Sequence, residues 1–167
     1  MNVAGISLEV WVAVGVGIAA TVEDLARRTI SNWTSLAALV GGLVCQAMAG
    51  GQSGDGVWMG LGRGALGAAA GFGIFLVFYV LGGMGGGDVK LMTGFGALLG
   101  ATRLVQAAIL TAILGGILAG LVLGAGYLRR AMAKYKAEPD KPLPLAIPYA
   151  PAIVLGVWLT ILGSRLP

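Results

Sequence analysis

Long apolar runs, interrupted at short intervals by polar or glycine-rich stretches, divide this chain almost from end to end. A helix crossing a bilayer needs about 20 mostly apolar residues. On that measure the pattern predicts six helical segments: Ile6 to Val22, Thr34 to Ala49, Val57 to Leu81, Asp88 to Ala101, Arg103 to Tyr127 and Leu145 to Leu162. The fourth is short for a full crossing, and only Ala101-Thr102-Arg103 separates it from the fifth. The stretch from Tyr127 to Pro144 is polar and reads as a loop that begins as helix. No internal repeat suggests a transporter built from two halves. The expectation is an all-α polytopic membrane bundle, one domain over residues 1–167.

Composition supports this reading. Hydrophobic residues make up 57% of the chain and charged residues 11%, with a mean hydropathy of +0.90. A soluble domain carries about 25% charged residues. The net charge of +4 does not point to nucleic acid, because the basic residues flank apolar segments and follow the rule that sets membrane topology. With six crossings and both termini outside, Arg27, Arg28, Lys90, Arg129, Arg130, Lys134, Lys136 and Lys141 face the cytoplasm. Only Arg63, Arg103 and Arg165 face the other side. The N-terminus has no basic region ahead of its apolar run and so does not read as a cleavable signal.

Several chemistries are excluded. There is no histidine, which removes Ser-His-Asp hydrolysis, Cys-His catalysis and His-ligated metal sites. The lone Cys45 cannot form an internal disulfide and reads as a small apolar side chain. No metal or cofactor is expected. The 30 glycines often fall at small-xxx-small spacing, as in Gly60, Gly64 and Ala68 or Gly116 and Gly120, which allows close helix packing in lipid.

Carboxylates near a bilayer are costly and therefore informative. Asp88 follows Gly82-Gly83-Met84-Gly85-Gly86-Gly87 and opens the fourth segment. An N-cap role would explain the aspartate. It would not explain the glycines, which suit a backbone that something must approach closely, such as an extended peptide. Asp24 ends the first segment beside Glu23, and can be read alone as an ordinary juxtamembrane acid. The predicted topology puts Asp24 and Asp88 at the same, cytoplasmic, depth on different helices. Two carboxylates so placed can share a proton and divide the roles of base and acid. Asp55, in Gln52-Ser53-Gly54-Asp55-Gly56, reads as a turn residue on the opposite side. Glu9 is also expected near the outer end, and Glu138 and Asp140 in the basic loop.

These residues resemble a known family. Gly85, Gly87 and Asp88 match the Gly-x-Gly-Asp motif of membrane aspartyl proteases, and the stretch from Gly85 to Gly100 closely resembles the type IV prepilin peptidases. The family's other signature is an aspartate at the end of the first span, a basic stretch, then Ile-Pro-Asn. Asp24, Arg27, Arg28, Ile30 and Asn32 fit that register, with Ser31 where the family usually has proline. The run from Ile147 to Gly156 is similar to the family's last helix. The resemblance implies a membrane aspartyl endopeptidase of the bacterial inner membrane, with Asp24 and Asp88 catalytic. It would remove the short basic leader from a prepilin at the cytoplasmic face. Gly85, Gly86 and Gly87 would receive the substrate backbone. Lys90 would either steady the negative charge of the pair or serve as a positive-inside anchor. The partners implied are a prepilin, the bilayer and pilus-assembly machinery. With no cysteine-rich N-terminal methyltransferase region ahead of the first span, the chain resembles the peptidase-only form found with tight-adherence (Flp-type) pili. Two rivals remain at this point: a non-enzymatic membrane scaffold or transporter subunit, and an aspartyl intramembrane protease acting on other helices.

Overall fold

A computed structural model of the chain describes residues 2–3, 6–133 and 149–164. Five helices follow a two-residue antiparallel pair, β1 (Asn2–Val3) with β2 (Ile6–Ser7), a feature the apolar pattern does not predict. The helices are α1 (Leu8–Arg27), α2 (Asn32–Ser53), α3 (Val57–Val80), α4 (Gly86–Ala133) and α5 (Ala150–Gly163). The expected fourth and fifth segments are thus one element, α4, with a single break. Gly100 stands there at φ 73°, ψ 167°, a backbone region open in practice only to glycine. The two parts are called here its first leg (residues 86–99) and second leg (residues 101–133). The expected start of the last segment, at 145–148, lies outside the described residues, as does most of the Tyr127 to Pro144 loop.

Three stretches are long and apolar enough to cross a membrane: α2, α3 and residues 86–128 of α4. α5 is apolar but has only 14 residues. α1 runs further than the apolar pattern implies, to Arg27, and takes Glu23 and Asp24 into its last turns. It ends at Arg28, whose left-handed φ of 54° turns the chain toward α2.

Glycine determines how the helices meet. Gly67 of α3 and Gly96 of α4 abut so closely that a Cβ on either would meet the other's carbonyl oxygen. A Cβ on Gly71 would lie 2.5 Å from the Met92 carbonyl oxygen, and one on Gly42 2.5 Å from the Leu98 nitrogen. Bare backbones therefore touch, the arrangement small residues permit in lipid. The first leg of α4 is the centre of the bundle: from Leu91 to Gly100 every residue except Thr93 is buried. Gln46, itself buried, donates from Nε2 to the Leu98 carbonyl oxygen at 2.9 Å, satisfying a group freed by the break at Gly100.

The contacts also fix direction. Lys90 meets Asn32, whereas a Cβ on Gly42 would meet Ala97 and Leu98, so the first leg runs parallel to α2. Beyond Gly100, Arg103 pairs with Glu9 at the start of α1, and Gly115 lies against Tyr149 at the start of α5. α5 is antiparallel to α1: Ala150 meets Asp24, and Trp158 Nε1 donates to the Ala13 carbonyl at 3.0 Å. The chain therefore doubles back at Gly100, and the second leg returns toward the end of the bundle where α4 began.

Candidate active site

The end of the bundle formed by the close of α1, the start of α2, the start of α4 and the start of α5 carries the chemistry. Asp24 and Asp88 are both buried there, each 7% exposed. They are near enough for their charges to interact. Asp24 Oδ2 accepts the Ala150 N–H at 3.0 Å, at the N-terminus of α5, where free amides and the helix dipole favour an anion. Asp88 is not itself the N-cap, the simpler of the two readings weighed from sequence, but the third residue of α4. Its Oδ2 accepts the Gly85 N–H at 3.1 Å, while its own N–H donates to the Gly85 carbonyl. This is the reach-back half of a capping box. It occupies only part of each carboxylate: one oxygen of Asp24 and one of Asp88 have no hydrogen bond among the described residues.

The glycines divide their tasks. Gly82, at φ 75°, ends α3, and Gly83 N–H donates back to the Phe78 carbonyl at 2.9 Å. Gly85 supplies the amide that Asp88 accepts. A Cβ on Gly86 would face the Tyr79 ring at 3.6 Å. A Cβ on Gly87 would meet Ile30 Cβ at 3.3 Å and Ile30 N at 3.4 Å. The turn between α1 and α2 is therefore packed directly on the first turn of α4. Lys90 is exposed, and its Nζ donates to Asn32 Oδ1 at 2.9 Å. It joins α4 to the start of α2.

Sequence reading missed the group beside Asp24. Glu23 Oε2 accepts the Ser31 N–H at 2.8 Å, and Oε1 accepts the Thr34 hydroxyl at 2.9 Å. Ser31 Oγ in turn accepts the Thr34 N–H at 3.3 Å and caps α2. Glu23 lies past the apolar run that ends at Val22, and the Ser31 N–H holds its carboxyl below the usual carboxylate range. Ser31 three residues before Thr34 is a readable capping signal, but nothing in sequence joins it to a glutamate eight residues upstream.

The acids at the opposite end are arranged differently. Asp55 is exposed in its turn, accepts from Ser53 Oγ at 3.1 Å and pairs with Arg63. The Arg63 hydrogen bond holds its carboxyl below the usual range. Glu9 pairs with Arg103 at 2.7 Å beside a cleft that Cys45, Gln46 and Gln52 also line. Among the described residues neither Asp24 nor Asp88 has an ion-pair partner.

No curated protein and no solved structure matches the chain. A family model does: residues 11–120, about two thirds of the length, match the type IV leader peptidase family. That match takes in both aspartates, the turn between α1 and α2 and the glycine run. With two buried acids at one end of a helical membrane bundle, this chain belongs to the type IV leader peptidase family.

Proposed function

We propose that the chain is an aspartyl endopeptidase that removes the leader of Flp-type prepilins, with Asp24 and Asp88 activating water between them. The observation that carries this is the contrast between the two ends of the bundle. At one end each acid is matched by an arginine; at the other, two buried carboxylates stand near each other and neither has an ion-pair partner among the described residues. Like charges so placed favour a shared proton. The ionised carboxylate takes a proton from water. The protonated one donates to the scissile carbonyl oxygen, and the departing amine then takes up a proton.

Six crossings of the inner membrane serve this chemistry, the two legs of α4 counting separately. The end that bears Asp24 and Asp88 also carries Arg27, Arg28 and Lys90, which favours the cytoplasmic side. A leader that stays in the cytoplasm reaches the acids there, while the apolar helix that follows it stays in the bilayer. Gly85, exposed beside Asp88, is where an extended peptide would approach the backbone.

The test is cleavage of a tagged Flp-type prepilin co-expressed with the full chain. Asp24→Asn and Asp88→Asn are each expected to lower the rate by about 10² to 10⁴-fold, the range for loss of a general acid or base, at equal protein level in the membrane. A cleaving Asp24→Asn variant would eliminate the pair mechanism. A wild-type chain that cuts no prepilin would eliminate the substrate.

A further inference from the structure

Asp24 and Asp88 sit on helices that touch little directly: α1 packs mainly on α2 and α5, and α4 mainly on α2, α3 and α5. Their separation is therefore set by what lies between them. Two elements lie there: α5, whose Ala150 N–H holds Asp24, and the turn of residues 28–31 with the first turn of α2. On one side the turn is held by Glu23, next to Asp24, through the Ser31 N–H and the Thr34 hydroxyl. On the other, Ile30 bears on Gly87, next to Asp88, and Asn32 accepts from Lys90.

We propose that Glu23 is a positioning residue, which clamps this turn and thereby sets the spacing of the two aspartates. The proposal rests on the leader-peptidase reading and adds a residue to it. The clamp depends on this chain's own residue at position 31. Proline, usual in the similar family, has no N–H to give, so the bond from residue 31 to Glu23 Oε2 exists only because a residue other than proline stands there. A glutamate fits the task because it has two acceptor oxygens for two donors on the facing element. Losing it would leave the Ser31 amide and the Thr34 hydroxyl without their partner and release the turn.

The experiment combines catalysis with a geometric readout. In the full-length chain, kcat and KM for prepilin cleavage are measured for Glu23→Leu, Glu23→Gln and Ser31→Pro. In parallel, a Cys45→Ser, Asp24→Cys, Asp88→Cys chain reports the spacing by its rate of cross-linking with a short bifunctional maleimide, with and without each change. Glutamine keeps the clamp, since its oxygen accepts from Ser31 and its amide donates to Thr34 Oγ1. Ser31 has φ −69°, so proline fits the backbone and removes the donor and the cap.

Glu23→Leu is expected to lower kcat about 10- to 100-fold with KM unchanged, the effect of misplacing reacting groups by about 1 Å. It should also slow cross-linking. Glu23→Gln should restore both. Ser31→Pro, which removes one of the two clamp bonds together with the α2 cap, should also lower kcat and slow cross-linking, and it carries the test if Glu23→Leu does not accumulate. The proposal is overturned if Glu23→Gln is as inactive as Asp24→Asn, because the carboxylate would then be needed for its proton chemistry. It is overturned equally if Glu23→Leu changes neither kcat nor cross-linking, or raises KM alone. If cross-linking follows the expected order but the wild type cuts no prepilin, the clamp stands and the substrate assignment falls.

Discussion

Asp55 and Asp88 both follow a glycine in a glycine-rich stretch, yet their surroundings give them opposite characters. Asp55 is open to solvent and bound to Arg63 and Ser53; Asp88 is buried and shares its end of the bundle with Asp24. Asp55→Asn is accordingly expected to leave prepilin cleavage unchanged in the co-expression assay that Asp88→Asn abolishes. Gly87 separates two residue-level explanations of the motif. A methyl group there would press on Ile30, which must yield by a few tenths of an ångström. Gly87→Ala is expected to slow cleavage, and Ile30→Ala in the same chain to recover part of the rate. No recovery would mean that Gly87 meets the substrate rather than the turn. Sequence could single out Asp24 and Asp88, because each stands in a motif that records residue types at fixed offsets. It could not show Glu23 with Thr34, or Glu9 with Arg103, because those partners meet only through the fold.

At the scale of helices, the glycines of α3 fall into two classes that a count of small residues cannot distinguish. Gly67 lies against the backbone of α4, whereas a Cβ on Gly73 would meet nothing within 4 Å. Gly67→Ala should destabilise the purified protein by about 1–3 kcal/mol through overpacking. Gly73→Ala should be neutral or stabilising by about 0.4–1 kcal/mol. Thermal unfolding in one detergent compares the two directly; equal effects would contradict the close approach of α3 to α4. Helix boundaries were largely legible, since α3 begins at Val57 as its apolar run does and the break in α4 falls next to Ala101. The end of α1 was not. Glu23 and Asp24 look like a helix stop in the apolar pattern, but each finds a partner that lets the helix run on to Arg27. Nor was the strand pair at residues 2–7, which is too short to show an alternating period.

At the scale of the whole molecule, the arrangement predicts sidedness. In a Cys45→Ser background, Ser53→Cys lies at the end of the bundle that bears Asp55, and Lys90→Cys at the end that bears Asp88. A membrane-impermeant maleimide added to intact spheroplasts should label Ser53→Cys, and should reach Lys90→Cys only after permeabilisation. The reverse pattern would invert the proposed orientation and put the acids out of reach of a cytoplasmic leader.

The burial of the first leg of α4 makes the two catalytic candidates mechanically unequal. Asp88 rides on a helix enclosed by its neighbours from Leu91 to Gly100, whereas α1, the carrier of Asp24, turns Trp11, Ile18, Val22 and Leu25 outward. An enclosed rod cannot tilt without displacing the whole bundle, but a peripheral one can. In the proposed dyad α1 is therefore the side with more freedom to move, like the hinged half of a jaw. Amide exchange should register this as a gradient, slowest along residues 91–99 and faster through the last turns of α1.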